Sequence, residues 1–182
     1  DLVIPRTEFG RGVFPEGLTK LTGHGISWEQ PNHFPKSLQE LELVVPFLRT
    51  PSVIRRGMLP EGLKILRLFG LCCPFCLLYP SQCSVGKLSP TGSWVPNALP
   101  VSLEQLYCNW SDIKQGQRIP PALEELSIHV SHFTKEVSLF KILPDIPKTL
   151  RGVTLLNLKP FDTTITGLDE LSQRCKVNLV ME

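Results

Sequence analysis

Cys73-Pro-Phe-Cys76 has the spacing at which two thiols close into a disulfide and reopen, and with Cys72 and Cys83 it offers four thiolates to a zinc ion. Redox work needs a helix start that lowers the pKa of the first thiol, and adjacent cysteines rarely both ligate one tetrahedral ion. The motif follows an apolar strand-like stretch and falls in a loop, so the expectation is a structural loop. A zinc or thiol-redox site over Cys72–Cys83 is the alternative. His129 and His132 stand three apart, without an acidic partner in register, and read as surface residues. Asn109-Trp110-Ser111 is a glycosylation acceptor by pattern alone. Glu40 and Glu42 alternate on one strand face, where solvated binding residues are the commoner reading than an acid/base pair. The sequence holds no G-x-S-x-G elbow, no phosphate-cradling glycine loop and no H-E-x-x-H. The expectation is a chain that is not an enzyme and uses no cofactor.

The 182 residues suffice for one domain with a sizeable core. A hydrophobic fraction of 42% with 20% charged residues is that of a folded soluble protein. Lys+Arg of 19 against Asp+Glu of 17 leaves a formal net charge of +2, too balanced to make nucleic acid or an anionic membrane the main partner. The longest apolar stretch, Leu68 to Tyr79, is broken by Gly70 and Pro74, and none reaches the ~18 residues of a spanning helix, so no membrane insertion is expected. The first residue is Asp1, which suggests a start inside a longer natural chain. The six cysteines are unevenly spaced, and Cys108 occupies a core slot of the repeat described next, so reduced thiols in a cytosol are expected.

Those loops and strands must be positioned by something, and the sequence repeats. FPEGLTKLTG from Phe14, FPKSLQELEL from Phe34, LPEGLKILRL from Leu59, LPVSLEQLYC from Leu99, IPPALEELSI from Ile119 and IPKTLRGVTL from Ile146 share one pattern. Each has an apolar residue, Pro, two variable residues, Leu and then two alternating apolar positions, with Gly23 the one blemish. The starts differ by 20, 25, 40, 20 and 27, and the interval of 40 predicts a worn unit near Tyr79-Pro80 that would contribute Val85, Lys87 and Ser89. Leu2 and Ile4 read as the strand of a further unit at the front. Apolar residues two apart, such as Leu66 and Leu68, belong to a short strand with both side chains on one face. No unit of this length buries its apolar face alone; stacking in register does. The recurrent Pro cannot donate to a ladder and is expected outside the sheet, fixing φ as the chain re-enters each strand.

The pattern resembles the leucine-rich repeat, in the short L-P-x-x-L-x-x-L-x-L form typical of bacterial effector proteins, including the IpaH and YopM families and several Legionella effectors. It also resembles the FNIP repeat of amoebae and giant viruses, through Trp28-Glu29-Gln30-Pro31 ahead of Phe34-Pro35. The resemblance implies an α/β-type repeat solenoid, a horseshoe with a curved parallel sheet on its concave side and an extended or 3₁₀ convex side. It implies one solenoid over residues 1–182, with a partial first repeat at 1–13, repeats at 14–158, and a short capping helix and strand at 159–182. Departures exist. The family's ladder asparagine is absent from Ile26, Pro46, Leu71, Ser111, Ser131 and Leu158, so the ladder is missing or is replaced by the two serines. Bulging loops are expected at 44–58, 70–98 and 129–145, and the ubiquitin-ligase domain of the IpaH family is not expected within the residues after the last repeat. Thr166-Gly167-Leu168-Asp169 reads as a capping-box-like helix start, and Val177 and Leu179 as a last strand covering the end of the core.

Function is expected on the variable strand positions, which face away from the core: Glu40, Glu42, Ile65, Arg67, Phe69, Lys87, Gln105, Tyr107, Asn109, Glu125 and His129. Ile65, Phe69 and Tyr107 are expected to be exposed beside Arg67, a composition typical of protein-interface hot spots. Glu40, Glu42 and Glu125 would steer a partner with basic groups. The expectation is a monomeric protein-interaction module whose partner is a host protein or a bacterial enzyme, sequestered or inhibited by occlusion. Secretion by a bacterium into a host cytosol and a role as the substrate-recognition part of a longer ubiquitin ligase are what the effector resemblance adds.

Overall fold

A computed structural model of the protein describes residues 2–4, 14–24, 34–45, 54–70, 95–109, 113, 119–130, 136–139, 146–158 and 163–181. Its main element is an eight-stranded sheet in which every neighbouring pair is parallel. In chain order the strands are β1 (Leu2–Ile4), β2 (Lys20–His24), β3 (Glu40–Val45), β4 (Ile65–Gly70), β5 (Gln105–Asn109), β6 (Glu125–His129), β7 (Glu136–Ser138), β8 (Gly152–Leu158), β9 (Thr164–Thr166) and β10 (Lys176–Met181). The sheet runs β1-β2-β3-β4-β5-β6-β8-β10, while β7 and β9 form a separate parallel pair. One short helix, α1 (Leu168–Ser172), precedes the last strand.

Every Pro-led unit enters the sheet through the same turn. The Leu three residues after the Pro donates its N–H to the Pro carbonyl: Leu18 to Pro15 at 3.3 Å, Leu63 to Pro60 at 3.1 Å, Leu123 to Pro120 at 3.1 Å, with Leu38, Leu103 and Leu150 alike. Pro suits this place because its fixed φ helps shape the turn while its missing N–H is not called on. In the first unit Gly17 takes φ 92°, a left-handed conformation that L side chains rarely adopt. One residue past the Leu, a carbonyl accepts two N–H groups from the next unit. Thr19 takes those of Gln39 and Glu40, Gln39 those of Lys64 and Ile65, Lys64 those of Glu104 and Gln105, and Glu104 those of Glu124 and Glu125.

Those shared entries set the register. Leu21, Leu41, Leu66, Leu106, Leu126 and Val153 lie side by side on successive strands, each buried. A second buried column runs through Leu43 and Leu68, with Cys108, Ile128 and Leu155 beyond, and the turn leucines Leu38, Leu63, Leu103 and Leu123 close the same core. Phe14 and Phe34, which open the first two of these units, stack at 5.9 Å between ring centroids. A fully buried leucine is worth about 1.5–3 kcal/mol against exposure, so these columns supply the main force holding the strands together.

Three expectations need correction, and a fourth, on Ser111 and Ser131, falls outside the described residues. The worn unit does not stand between its neighbours: β4 pairs β5 directly, Ile65 opposite Gln105, leaving no place for an interposed strand. Val85, Lys87 and Ser89 lie outside the described residues. Hydroxyls at other positions link neighbouring turns. Ser37 Oγ donates to the Leu18 carbonyl at 2.9 Å, Ser102 Oγ to that of Leu63 at 2.8 Å, and Thr149 Oγ1 to that of Leu123 at 2.8 Å. These hydroxyls belong to the entry turns, while Ser111 and Ser131 lie outside the described residues. Helix α1 starts on Gly167 at φ 84°, with no side-chain cap, because backbone geometry alone makes the bend. Finally, Leu171 is buried under the end of the core, but β10, which among the described residues is paired along one edge, leaves Leu179, Val180 and Met181 exposed.

Among the described residues no helix is long and apolar enough to cross a membrane.

Candidate binding surface

Strand alternation puts the residues between the core columns on the opposite, open face of the sheet. The register aligns them in rows. The first row is Lys20, Glu40, Ile65, Gln105, Glu125, Gly152 and Lys176, and the second is Thr22, Glu42, Arg67, Tyr107, Ser127, Thr154 and Asn178. A third row contains Asn109, His129 and Leu156. With strands ~4.8 Å apart, Glu42 to Ser127 covers roughly 14 Å, a width suited to a peptide or a protein loop. Nine of the eleven expected site residues are thus brought to one face by their described positions. Phe69 is on β4, but its side chain is not among those described, and Lys87 is not described at all.

Burial differs from expectation at the centre. Ile65 and Tyr107 are half-buried, since each strand residue is flanked by side chains on both neighbouring strands. Burial pushes the Tyr107 phenol above its ordinary pKa, with the adjacent Cys108 thiol adding a smaller push the same way. Charge is also arranged differently. Lys20 Nζ lies 3.3 Å from Glu40 Oε2, so one of the three acids already has a partner on the face itself. Glu42 faces Arg67 across β3 and β4. Glu125 leans over the next strand, where its Oε2 stands 2.5 Å from the place a Cβ would occupy on Gly152. A side chain at position 152 would make the flexible end of Glu125 swing aside. Cys175, half-buried at the entry to β10, has its thiol pKa raised by burial first and by the Glu125 carboxylate second. A thiol held protonated in this way is a poor nucleophile.

Cys108 is fully buried among the core columns, as its slot in the repeat implies. Cys72, Cys73, Cys76, Cys83 and His132 fall outside the described residues; among the described ones no three His, Cys, Asp or Glu groups converge as a metal site requires.

Strand alternation does not reveal another feature, on the edge of the sheet where the strands begin. Val101 is 64% exposed and lines a cleft of about 610 Å³ with Arg56, Glu61, Asn97 and the prolines of neighbouring turns. A signal for it is present in the sequence. The residue after the unit Pro is Glu16, Lys36, Glu61 and Lys148 in four units, but Val101 and Pro121 in the two that adjoin.

No protein-family model, no curated protein and no solved structure matches this chain.

Proposed function

We propose that the chain is a solenoid of the leucine-rich-repeat kind, and that its open sheet face binds another protein. The shared Pro-turn entries, the hydroxyl ladder and the in-register leucine columns support the first half, because they are what stacked short repeats require. The second half rests on one observation: Glu42, Arg67 and Tyr107 stand in one row on three consecutive strands, with Ile65 and Gln105 alongside. Half-buried Ile65 and Tyr107 are already partly fixed, so a partner would immobilise them at little entropic cost, and Arg with Tyr is the pairing that dominates interface energetics. Occlusion of the bound protein then suffices for regulation, with no reaction needed. The effector and cytosolic readings rest on the L-P-x-x-L-x-x-L-x-L resemblance.

The test compares proteins retained by the immobilised wild-type chain with those retained by Arg67→Ala/Tyr107→Ala, by quantitative mass spectrometry, after unchanged thermal melting shows that the variant folds. A specific partner should drop at least tenfold on the variant, which corresponds to more than ~1.4 kcal/mol. Retention of the same partner at the same level would remove the open face from the account.

A further inference from the structure

Apolar side chains left in water collect at one end of the sheet. Of the five large hydrophobic residues exposed among the described residues, three are consecutive on β10: Leu179 and Val180, each 44% exposed, and Met181, 61% exposed. Leu179 belongs by position to the core. It lies beside Leu155, in the column that runs through Cys108 and Ile128, and those three are fully buried. That column therefore ends open. In the neighbouring column Val177, beside Val153, is half-buried and packs against the core, as does Leu168 of α1. A terminal unit normally turns a polar surface outward, and an edge strand is normally blunted by charge or proline. Among its described residues β10 carries one charge, Lys176, at its start.

The backbone groups along this edge follow a definite pattern. Lys176 N–H bonds the Arg151 carbonyl at 2.9 Å and so points to β8. Alternation then turns the N–H and C=O of Val177 and Leu179 away from β8. The register shift against β8 does not disturb this order. From Leu155 to Leu158 β8 advances three residues while β10 advances two, so the extra residue belongs to β8 and Met181 continues the series. A second β10, antiparallel and centred on Leu179, matches all three outward residues: Leu179 with Leu179, and Val177 with Met181 on either side. A centre at Asn178 or Val180 would match only two of them within β10. Reversal about Leu179 also preserves chemistry, since aliphatic residues meet aliphatic ones on the core side and Lys176 comes opposite Glu182 in sequence.

We propose that two copies of this chain pair through β10, antiparallel about a two-fold axis at Leu179, and join their sheets into one. This departs from the monomer that the sequence suggests. On the core side Leu179 packs against Leu179 of the second copy and Met181 against its Val177, which covers the open column of each. Such a contact is isologous and closes on itself. The alternative within a second copy is β1, at the far edge of the sheet. In the register that prolongs the buried columns, Leu2 meets Val177 and Ile4 meets Leu179; there β1 ends, and Pro5, which has no N–H, follows. Met181, the most exposed of the three, would stay uncovered, and the assembly would grow without closing. The two-fold pair sets both open faces on one side. That last consequence alone rests on the open-face reading: a partner with two copies of its site would be held by avidity.

Sedimentation velocity of the full chain, over a wide range of concentration, reads the association. The wild type should pass from monomer to dimer and no further. Leu179→Lys sets two cations face to face at the axis and should weaken the dimer at least tenfold, and Leu179→Glu should do the same. An equimolar mixture of those two variants should associate again, because only a two-fold contact brings position 179 against itself. Val101→Asp, at the strand-entry edge, should leave association unchanged. If circular dichroism shows Leu179→Lys to be unfolded, Met181→Lys decides, with the same loss expected. A wild type that stays monomeric, open-ended assemblies, a dimer indifferent to the folded β10 variant, or a folded Lys and Glu mixture that stays monomeric would each overturn the proposal. Arg67→Ala/Tyr107→Ala should dimerise like the wild type, so the β10 contact and the open face succeed or fail separately.

Discussion

Tyr107 stands mid-face with its phenol half-buried, and desolvation holds its pKa above the ordinary value of about 10. A raised pKa in the folded state means that the native chain keeps its proton where the unfolded chain has lost it. The resulting stabilisation is complete below pH ~10 and declines as pH rises from there towards the folded value. Urea unfolding at pH 9 and pH 11 should show the wild type losing more stability than Tyr107→Phe over that interval; equal losses would place the phenol in ordinary solvent. Ser102 gives a second residue-scale prediction. Its hydroxyl lies near the Leu63 and Glu61 carbonyls of the preceding turn, so Ser102→Ala should cost about 1 kcal/mol in chemical denaturation, while Ser102→Thr keeps most of it. Neither device is legible in the sequence. The hydroxyl ladder uses a variable position of the repeat, where Gly17, Gly62 and Ala122 alternate with Ser37, Ser102 and Thr149, and one strand pattern cannot show which neighbour a side chain reaches.

Among the elements, the strands are readable because alternation such as Leu66-Arg67-Leu68 leaves one face to bury and one to expose, and the Pro-x-x-Leu turn fixes where each strand begins. β1 and β10 follow from the same alternation at Leu2–Ile4 and Val177–Leu179. The interval of 40 misleads for a physical reason. A parallel ladder needs matching entry turns and core columns but is indifferent to the length of the return, whose closure entropy grows only slowly. Hence Ile65 meets Gln105 as readily as Gln105 meets Glu125. Leu126→Ala should cost about 2–5 kcal/mol, because it opens a hole in a buried column flanked by Leu106 and Val153. Gly167→Ala tests the helix start: φ 84° is strained for alanine, so a loss of about 1 kcal/mol is expected in thermal or urea melts. A neutral or stabilising effect would mean that α1 begins with ordinary backbone geometry.

For the whole molecule, buried columns on one side and in-register variable rows on the other divide the sheet into a part that folds and a part that, in the proposed function, recognises. Most of the proposed recognition surface is legible as positions, since nine expected residues arrive on one face; their degree of exposure is not, because flanking strands shield Ile65 and Tyr107. The Val101 cleft escapes a reading based on alternation, as it lies in turns rather than on strands. Hydrogen–deuterium exchange of the chain, alone and with a protein that it retains from lysate, tests the division most directly. The account predicts slowed exchange over β3 to β6 on binding, abolished in Arg67→Ala/Tyr107→Ala. Protection confined to the turns or to β10, with the double variant binding as before, would contradict it.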